Sequence, residues 1–157
     1  MIRKMNKRDW LSVSEIYNQG IESGKSTFNT TYPSYDEWDS SHHKECRLVY
    51  EENGTVYGWV AVSPTSVREA YRGVVEVSVY VDEKQRCKGI GTKLLNALKD
   101  EARKSGFWSL FTIIFATNEA SLALHRKCGF REIGYRERIA QDKFGVWQNT
   151  VNMEYRL

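Results

Sequence analysis

Apolar and polar positions follow two rhythms along this chain, and the changes of rhythm mark its elements. From Arg8 to about Glu22 the apolar residues Trp10, Leu11, Val13, Ile16, Tyr17 and Ile21 recur largely at helical spacing, and Gly24 ends the run. The clearest helix is Ile90–Lys104. Ile90, Leu94, Leu95, Leu98 and Ala102 share one face, and Lys93, Asn96, Lys99, Asp100 and Arg103 cover the other. Gly106 follows as a cap residue. Ser34-Tyr35-Asp36-Glu37 has the form of a capping box and opens a helix reaching about Lys44. Asn118 caps a last helix through Cys128.

Between these segments the pattern is that of strands. Met1–Lys4 reads as an edge strand and Ser26–Tyr32 as extended. Cys46–Glu52 and Thr55–Val62 flank Asn53-Gly54, a dipeptide suited to a two-residue hairpin turn. Pro64 and the polar stretch to Arg72 form a loop before the valine-rich strand Gly73–Val81. Leu110–Ala116 is almost wholly apolar, which predicts a strand buried on both faces. Phe130–Ala140 and Val146–Tyr155 form a closing antiparallel pair. Strands and helices mixed on this scale predict one α/β or α+β domain over residues 1–157, consistent with a length of 157 residues.

Composition narrows the function classes. A net charge of +3 with acids and bases interspersed gives no polyanion groove, so no nucleic-acid partner is expected. No apolar run approaches a membrane span, and Met1 to Trp10 lacks the apolar core of a signal peptide. Cys46, Cys87 and Cys128 are scattered and odd in number. They predict reduced thiols and a cytoplasmic setting. His42, His43 and Cys46 lack a fourth ligand at convincing spacing, so no metal is expected.

The chemistry concentrates where the valine-rich strand meets the clearest helix. Gln85-Arg86-Cys87-Lys88-Gly89-Ile90-Gly91-Thr92 is a glycine-bearing turn opening a helix. Free amides and the positive dipole end at such a start suit an anion. Gly89 and Gly91 let backbone approach it, and Arg86 and Lys88 add positive charge. The alternative is a loop whose glycines only turn the chain. A Rossmann fingerprint is excluded because Leu94 stands where its third glycine belongs, and the Walker spacing does not fit.

Arg86-x-x-Gly89-x-Gly91, its preceding strand and following helix, and Asn118 with a helix leading to Gly129-Phe130 resemble the acetyl-CoA-dependent N-acetyltransferases of the GNAT superfamily. The resemblance extends over nearly the whole chain. It is strongest to the phosphinothricin and methionine sulfone (or sulfoximine) acetyltransferase group, through Ser26-Thr27-Phe28, Arg68 to Arg72, Glu76 to Val81, Leu124-His125 and Phe144 to Trp147.

That resemblance implies a mixed, mainly antiparallel central sheet flanked by helices, and a concrete site. Backbone of the Val79-Tyr80-Val81 stretch would hold the pantetheine arm of acetyl-CoA. Amides from Arg86 through Cys87, Lys88, Gly89, Ile90 and Gly91 to Thr92 would hold its pyrophosphate. Asn118 would bond the arm further along. Glu76 stands at the general-base position. Without the resemblance it would read as a surface strand residue paired with a cation. His125 replaces the commoner tyrosine, and reads either as lining the cofactor channel or as a packing residue. Arg68 or Arg72 would pair an acceptor carboxylate, with Phe28, Tyr71 and Trp147 as walls. The implied reaction is direct acetyl transfer to a small amino-acid-like amine, by a homodimer. Other amines, or a non-catalytic acetyl-CoA-binding module, are the alternatives.

Overall fold

Asn53 (φ 52°) and Gly54 (φ 81°) take the left-handed conformations of a tight hairpin turn. That turn joins β2 (Leu48–Glu52) to β3 (Thr55–Pro64), and the sheet grows outward from this hairpin. The computed structural model describes all residues from Met1 to Leu157. The remaining elements are β1 (Ile2–Lys4), α1 (Trp10–Ser23), α2 (Tyr35–Ser41), β4 (Val74–Val81), α3 (Ile90–Lys104), β5 (Ser109–Phe115), α4 (Glu119–Lys127), β6 (Arg131–Gln141) and β7 (Trp147–Arg156). Seven strands make one sheet in the order β1-β2-β3-β4-β5-β7-β6. All neighbours are antiparallel except β4 and β5, whose parallel pairing spans α3 as a crossover.

Strand alternation divides the core in two. Val75 and Val77 of β4 enter the larger cluster, built under α3 and α4 around Leu94, Leu95, Leu98, Leu110 and Met153. Tyr80 faces the opposite way and packs on a smaller cluster of Val13, Ile16, Ile21, Trp38 and Trp59. The expected apolar face of α3 is the buried one: Leu94, Leu95, Leu98 and Ala102 are wholly enclosed. Burying each leucine contributes about 1.5–3 kcal/mol, and truncating one to alanine costs about 2–5 kcal/mol.

Ser26–Tyr32, read as an extended segment between two helices, joins no strand. Its hydroxyls turn onto local backbone, with the Asn29 amide donating to Thr27 Oγ1 at 3.1 Å, which competes with a ladder. α2 ends at Ser41 rather than about Lys44. Ser41 Oγ (3.0 Å) and His42 Nδ1 (2.8 Å) both bond the Trp38 carbonyl, and His43 N–H then donates to Val62 O on β3. β5 is not buried on both faces, because Ile113 is 41% exposed. No helix covers that side of the sheet's outer end, and β6 is exposed along almost its whole length.

Candidate active site

β4 leads into the predicted anion-binding turn through a tight bend. Asp82 Oδ1 accepts from the Lys84 amide at 2.8 Å and its carbonyl accepts from Gln85 N–H. Cys87 (φ 63°) and Gly89 (φ 80°) are both left-handed. Turns of this kind gather successive amides into an anion-binding concavity. A Cβ on Gly89 would meet nothing within 4 Å, so the space outside it is open. The first helical bond of α3 runs from Lys93 N–H to Gly89 O at 3.1 Å. The amides of Ile90, Gly91 and Thr92 therefore have no partner within the helix. Arg86, Cys87 and Lys88 are exposed beside them. Gly91 has a different reason to be glycine: a Cβ there would collide with Leu124 of α4.

The second feature is a split in the sheet. β4 and β5 pair only over Val74↔Ser109, Val75↔Leu110 and Glu76↔Phe111, then part. The β3–β4 ladder meanwhile continues without a bulge from Pro64↔Val75 to Gly58↔Val81. Asp82 N–H donates to Tyr57 O at 2.8 Å. Hydrogen-bonded pairs alternate along an antiparallel ladder, so Tyr80, Ser78 and Glu76 bond to β3. Val79 and Val81 turn their amides and carbonyls to the side that β5 vacates, whereas the Val77 amide is still taken by Phe111. This is a strand edge free to pair with an extended ligand, and it runs straight into the glycine-bearing turn.

Glu76 sits where the split begins. It is half-buried and takes part in no ion pair. Burial alone pushes its carboxyl pKa up. A carboxylate without a cation is a better proton acceptor than a surface residue paired with lysine. Its side chain shares a face with Ser78 and Tyr80. Burial pushes the Tyr80 phenol up, with the charges of Tyr17 and Glu76 acting in the same sense and the Thr27 hydroxyl opposing.

The residues expected to bind an acceptor occupy three segments. Phe28 packs on Phe115 at the end of β5, with ring centroids 4.5 Å apart. Arg68, Tyr71 and Arg72 lie on the exposed β3–β4 loop, where Arg68 stands over Tyr71 and Arg72 over Trp108. Trp147 opens β7, 48% exposed, with Arg138 over its ring. None of the five lines the cavity of about 400 Å³ between α1, α2 and β4, which Tyr17, Trp38, Trp59 and Ser78 help to form. Tyr17 and Trp38 lie in segments whose patterns predict helices, and no local spacing links them to Ser78 or to this cavity.

Asn118 caps α4, its Oδ1 accepting from the Ser121 amide at 3.2 Å, which leaves the side-chain NH₂ for another partner. His125 is 2% exposed and its ring meets Phe130 edge-on. Its Nδ1 lies 2.7 Å from the Ser121 carbonyl. A carbonyl only accepts, so Nδ1 carries the proton and the buried Nε2, which has no partner, is bare. Burial pushes the pKa down and keeps the ring neutral. In this state Nε2 cannot donate a proton.

His42, His43 and Cys46 sit in separate surroundings, against Trp38, Phe107 and Ser105 respectively.

Residues 10–130 match the acetyltransferase (GNAT) family. An L-methionine sulfoximine/L-methionine sulfone acetyltransferase of Pseudomonas aeruginosa is 31% identical, over 99% of this chain and 94% of its own. The crystal structure of a GNAT superfamily phosphinothricin acetyltransferase from Sinorhizobium meliloti in complex with AcCoA has a TM-score of 0.88 at 30% identity, covering 100% of this chain and 88% of that one. A ribosomal-protein-alanine N-acetyltransferase from Brucella melitensis has a TM-score of 0.90 at 34% identity, covering 100% and 99%. This chain belongs to the acetyltransferase (GNAT) family and is an N-acetyltransferase.

Proposed function

We propose that the protein moves the acetyl group of acetyl-CoA to the amino group of a small amino-acid-like acceptor of the phosphinothricin, methionine sulfone or methionine sulfoximine type. The observation that carries this reading is Glu76: a half-buried carboxylate with no counter-charge, at the point where β4 and β5 part. The acceptor's amine is an ammonium ion at neutral pH and cannot attack until it loses a proton. Glu76 takes that proton, directly or through a water. The amine then attacks the thioester carbonyl, the C–S bond breaks, and the departing coenzyme thiolate takes up the proton shed by the new amide nitrogen. Val79 and Val81 supply backbone partners for the pantetheine arm and donors for the developing oxyanion. Amides from Arg86 to Thr92 hold the pyrophosphate and Asn118 bonds further along the arm. A thiolate is a fair leaving group, so His125 lines the channel as a neutral ring and not as an acid.

The acceptor class rests on the names of the relatives and on Arg68 and Arg72 as candidate carboxylate partners. A second acceptor, an N-terminal alanine of a protein, is favoured by the likeness to the Brucella enzyme alone. The protein works as a cytoplasmic homodimer in this reading. Its three cysteines are free thiols, and Ile133, Tyr135, Ile139, Phe144 and Val146 expose an apolar edge on and between β6 and β7. Thioester consumption by the purified protein against phosphinothricin, methionine sulfone, methionine sulfoximine, polyamines and an alanine-first peptide tests the function. Turnover confined to the amino acids is the expected result; turnover confined to the peptide or the polyamines would refute it.

A further inference from the structure

We infer that the cavity between α1, α2 and β4 receives the side-chain tail of the acceptor, and that it selects an uncharged, oxygen-bearing tail over an anionic one. This rests on the amino-acid acceptor reading above. The position follows from the strand. Ser78 lines the cavity and stands on the same face of β4 as Glu76. Two residues of strand separate them by about 6.6 Å. An amino acid whose amine meets Glu76 can therefore reach the cavity with an unbranched tail about four atoms long.

The selectivity follows from the groups around the cavity. Its floor is aromatic, from Trp38 and Trp59 with Tyr17. Neutral donors line it. Tyr17 Oη accepts from Asn29 Nδ2, which leaves its own O–H free to donate, and Ser78 adds a hydroxyl. The indole N–H groups of Trp38 and Trp59 are enclosed behind the aromatic floor, so the reachable donors are the Tyr17 and Ser78 hydroxyls. A tail oxygen is the partner such donors lack.

No lysine or arginine lines the cavity. The cation behind it, Arg47, stands over the Trp38 ring and is held by Asp39. Burial pushes the His42 pKa down and keeps that ring neutral. Glu37, at the exposed mouth, is the one carboxylate in the lining. A phosphinate tail entering here would lose water and gain no counter-charge, whereas a sulfone would lose little and satisfy the donors.

The test compares kcat/KM for methionine sulfone and phosphinothricin in the wild type, in Ser78→Ala and in Thr31→Arg, which sets a cation on the exposed rim. The wild type is expected to prefer the sulfone by about tenfold or more. Thr31→Arg should shift that ratio toward phosphinothricin by about tenfold, with coenzyme A affinity unchanged by calorimetry. Ser78→Ala should raise KM for the sulfone more than it lowers kcat. Methionine sulfone should also quench the fluorescence of Trp38 and Trp59 without coenzyme A present. A wild-type preference for phosphinothricin, or a ratio that neither variant moves, overturns the cavity assignment while acetyl transfer stands. Absence of turnover on every amino acid overturns the acceptor reading itself.

Discussion

Gly91 lies against Leu124: a methyl group on the glycine would stand 2.8 Å from the leucine Cδ2, so the first turn of α3 packs directly on α4 at this point. The two glycines of this turn thus answer to different forces. Gly91→Ala should cost at most about 1 kcal/mol of stability, because the half-exposed Leu124 tip must shift while alanine's helix preference offsets part of the clash. Its coenzyme A affinity should change far less than that of Gly89→Val, which strains a left-handed residue and fills the open space. Gly89→Asn, which tolerates that backbone, separates the two effects. Denaturant melts and calorimetry with coenzyme A read both. Normal binding by both Gly89 variants would remove this turn as the pyrophosphate site.

Glu76→Gln should lower kcat by about 10²–10⁴-fold while leaving coenzyme A affinity intact. The sign of its effect on stability is opposite. Burial raises the carboxyl pKa in the folded state, so the ionised form opposes folding at neutral pH, and that penalty disappears as pH falls below the unfolded value. Removing the charge should therefore raise the melting temperature at pH 7 and leave it unchanged in acid. The wild-type kcat/KM should fall on the acid side through a pKa above the ordinary glutamate range. Unchanged turnover in the glutamine variant would eliminate Glu76 as the base.

His125→Gln should retain kcat within about fivefold, because a neutral ring with its proton on Nδ1 has nothing to give a thiolate. The alkaline limb of the kcat profile should be the same in both proteins. A loss beyond about a hundredfold, with the alkaline limb gone, would make the histidine an acid after all.

Sedimentation should show the wild type as a dimer at micromolar concentration, and Ile133→Lys with Tyr135→Glu as a monomer. Both side chains are exposed on β6, at 43% and 60%. A monomeric wild type would mean that this apolar edge is not an interface between copies.

The Arg3 guanidinium donates to both carboxylate oxygens of Asp9 at 2.8 Å and also holds Glu51. It ties the start of α1 to the sheet edge. Asp9 is 6% exposed, and its bond to Arg3 holds its pKa below the ordinary range. The stability it adds is complete above the unfolded pKa and is lost as pH falls through the folded one. Asp9→Asn should cost about 2–3 kcal/mol at neutral pH, and less in strong acid.

Much of the fold was legible because its signals are local. The apolar face of α3 falls on the buried residues named from spacing, and Asn53-Gly54 makes the turn it favours. Ser34 and Asn118 cap the helices they were expected to cap. The exposure of Ile113 was not legible, since burial of a strand depends on which elements cover it. The end of α2 was not legible either, because it is set where the His43 N–H reaches Val62 on β3.

The sequence by itself determined the order of elements, the glycine-bearing turn and the alternation that sets Glu76, Ser78 and Tyr80 on one face of β4, since each is a property of a few adjacent residues. Only the tertiary structure decided that β4 and β5 part after Glu76, that Gly91 serves packing, that His125 is a buried neutral ring, and that Trp38, Trp59 and Ser78 enclose one cavity. These depend on residues far apart in the chain being brought together, and neither periodicity nor spacing encodes such contacts.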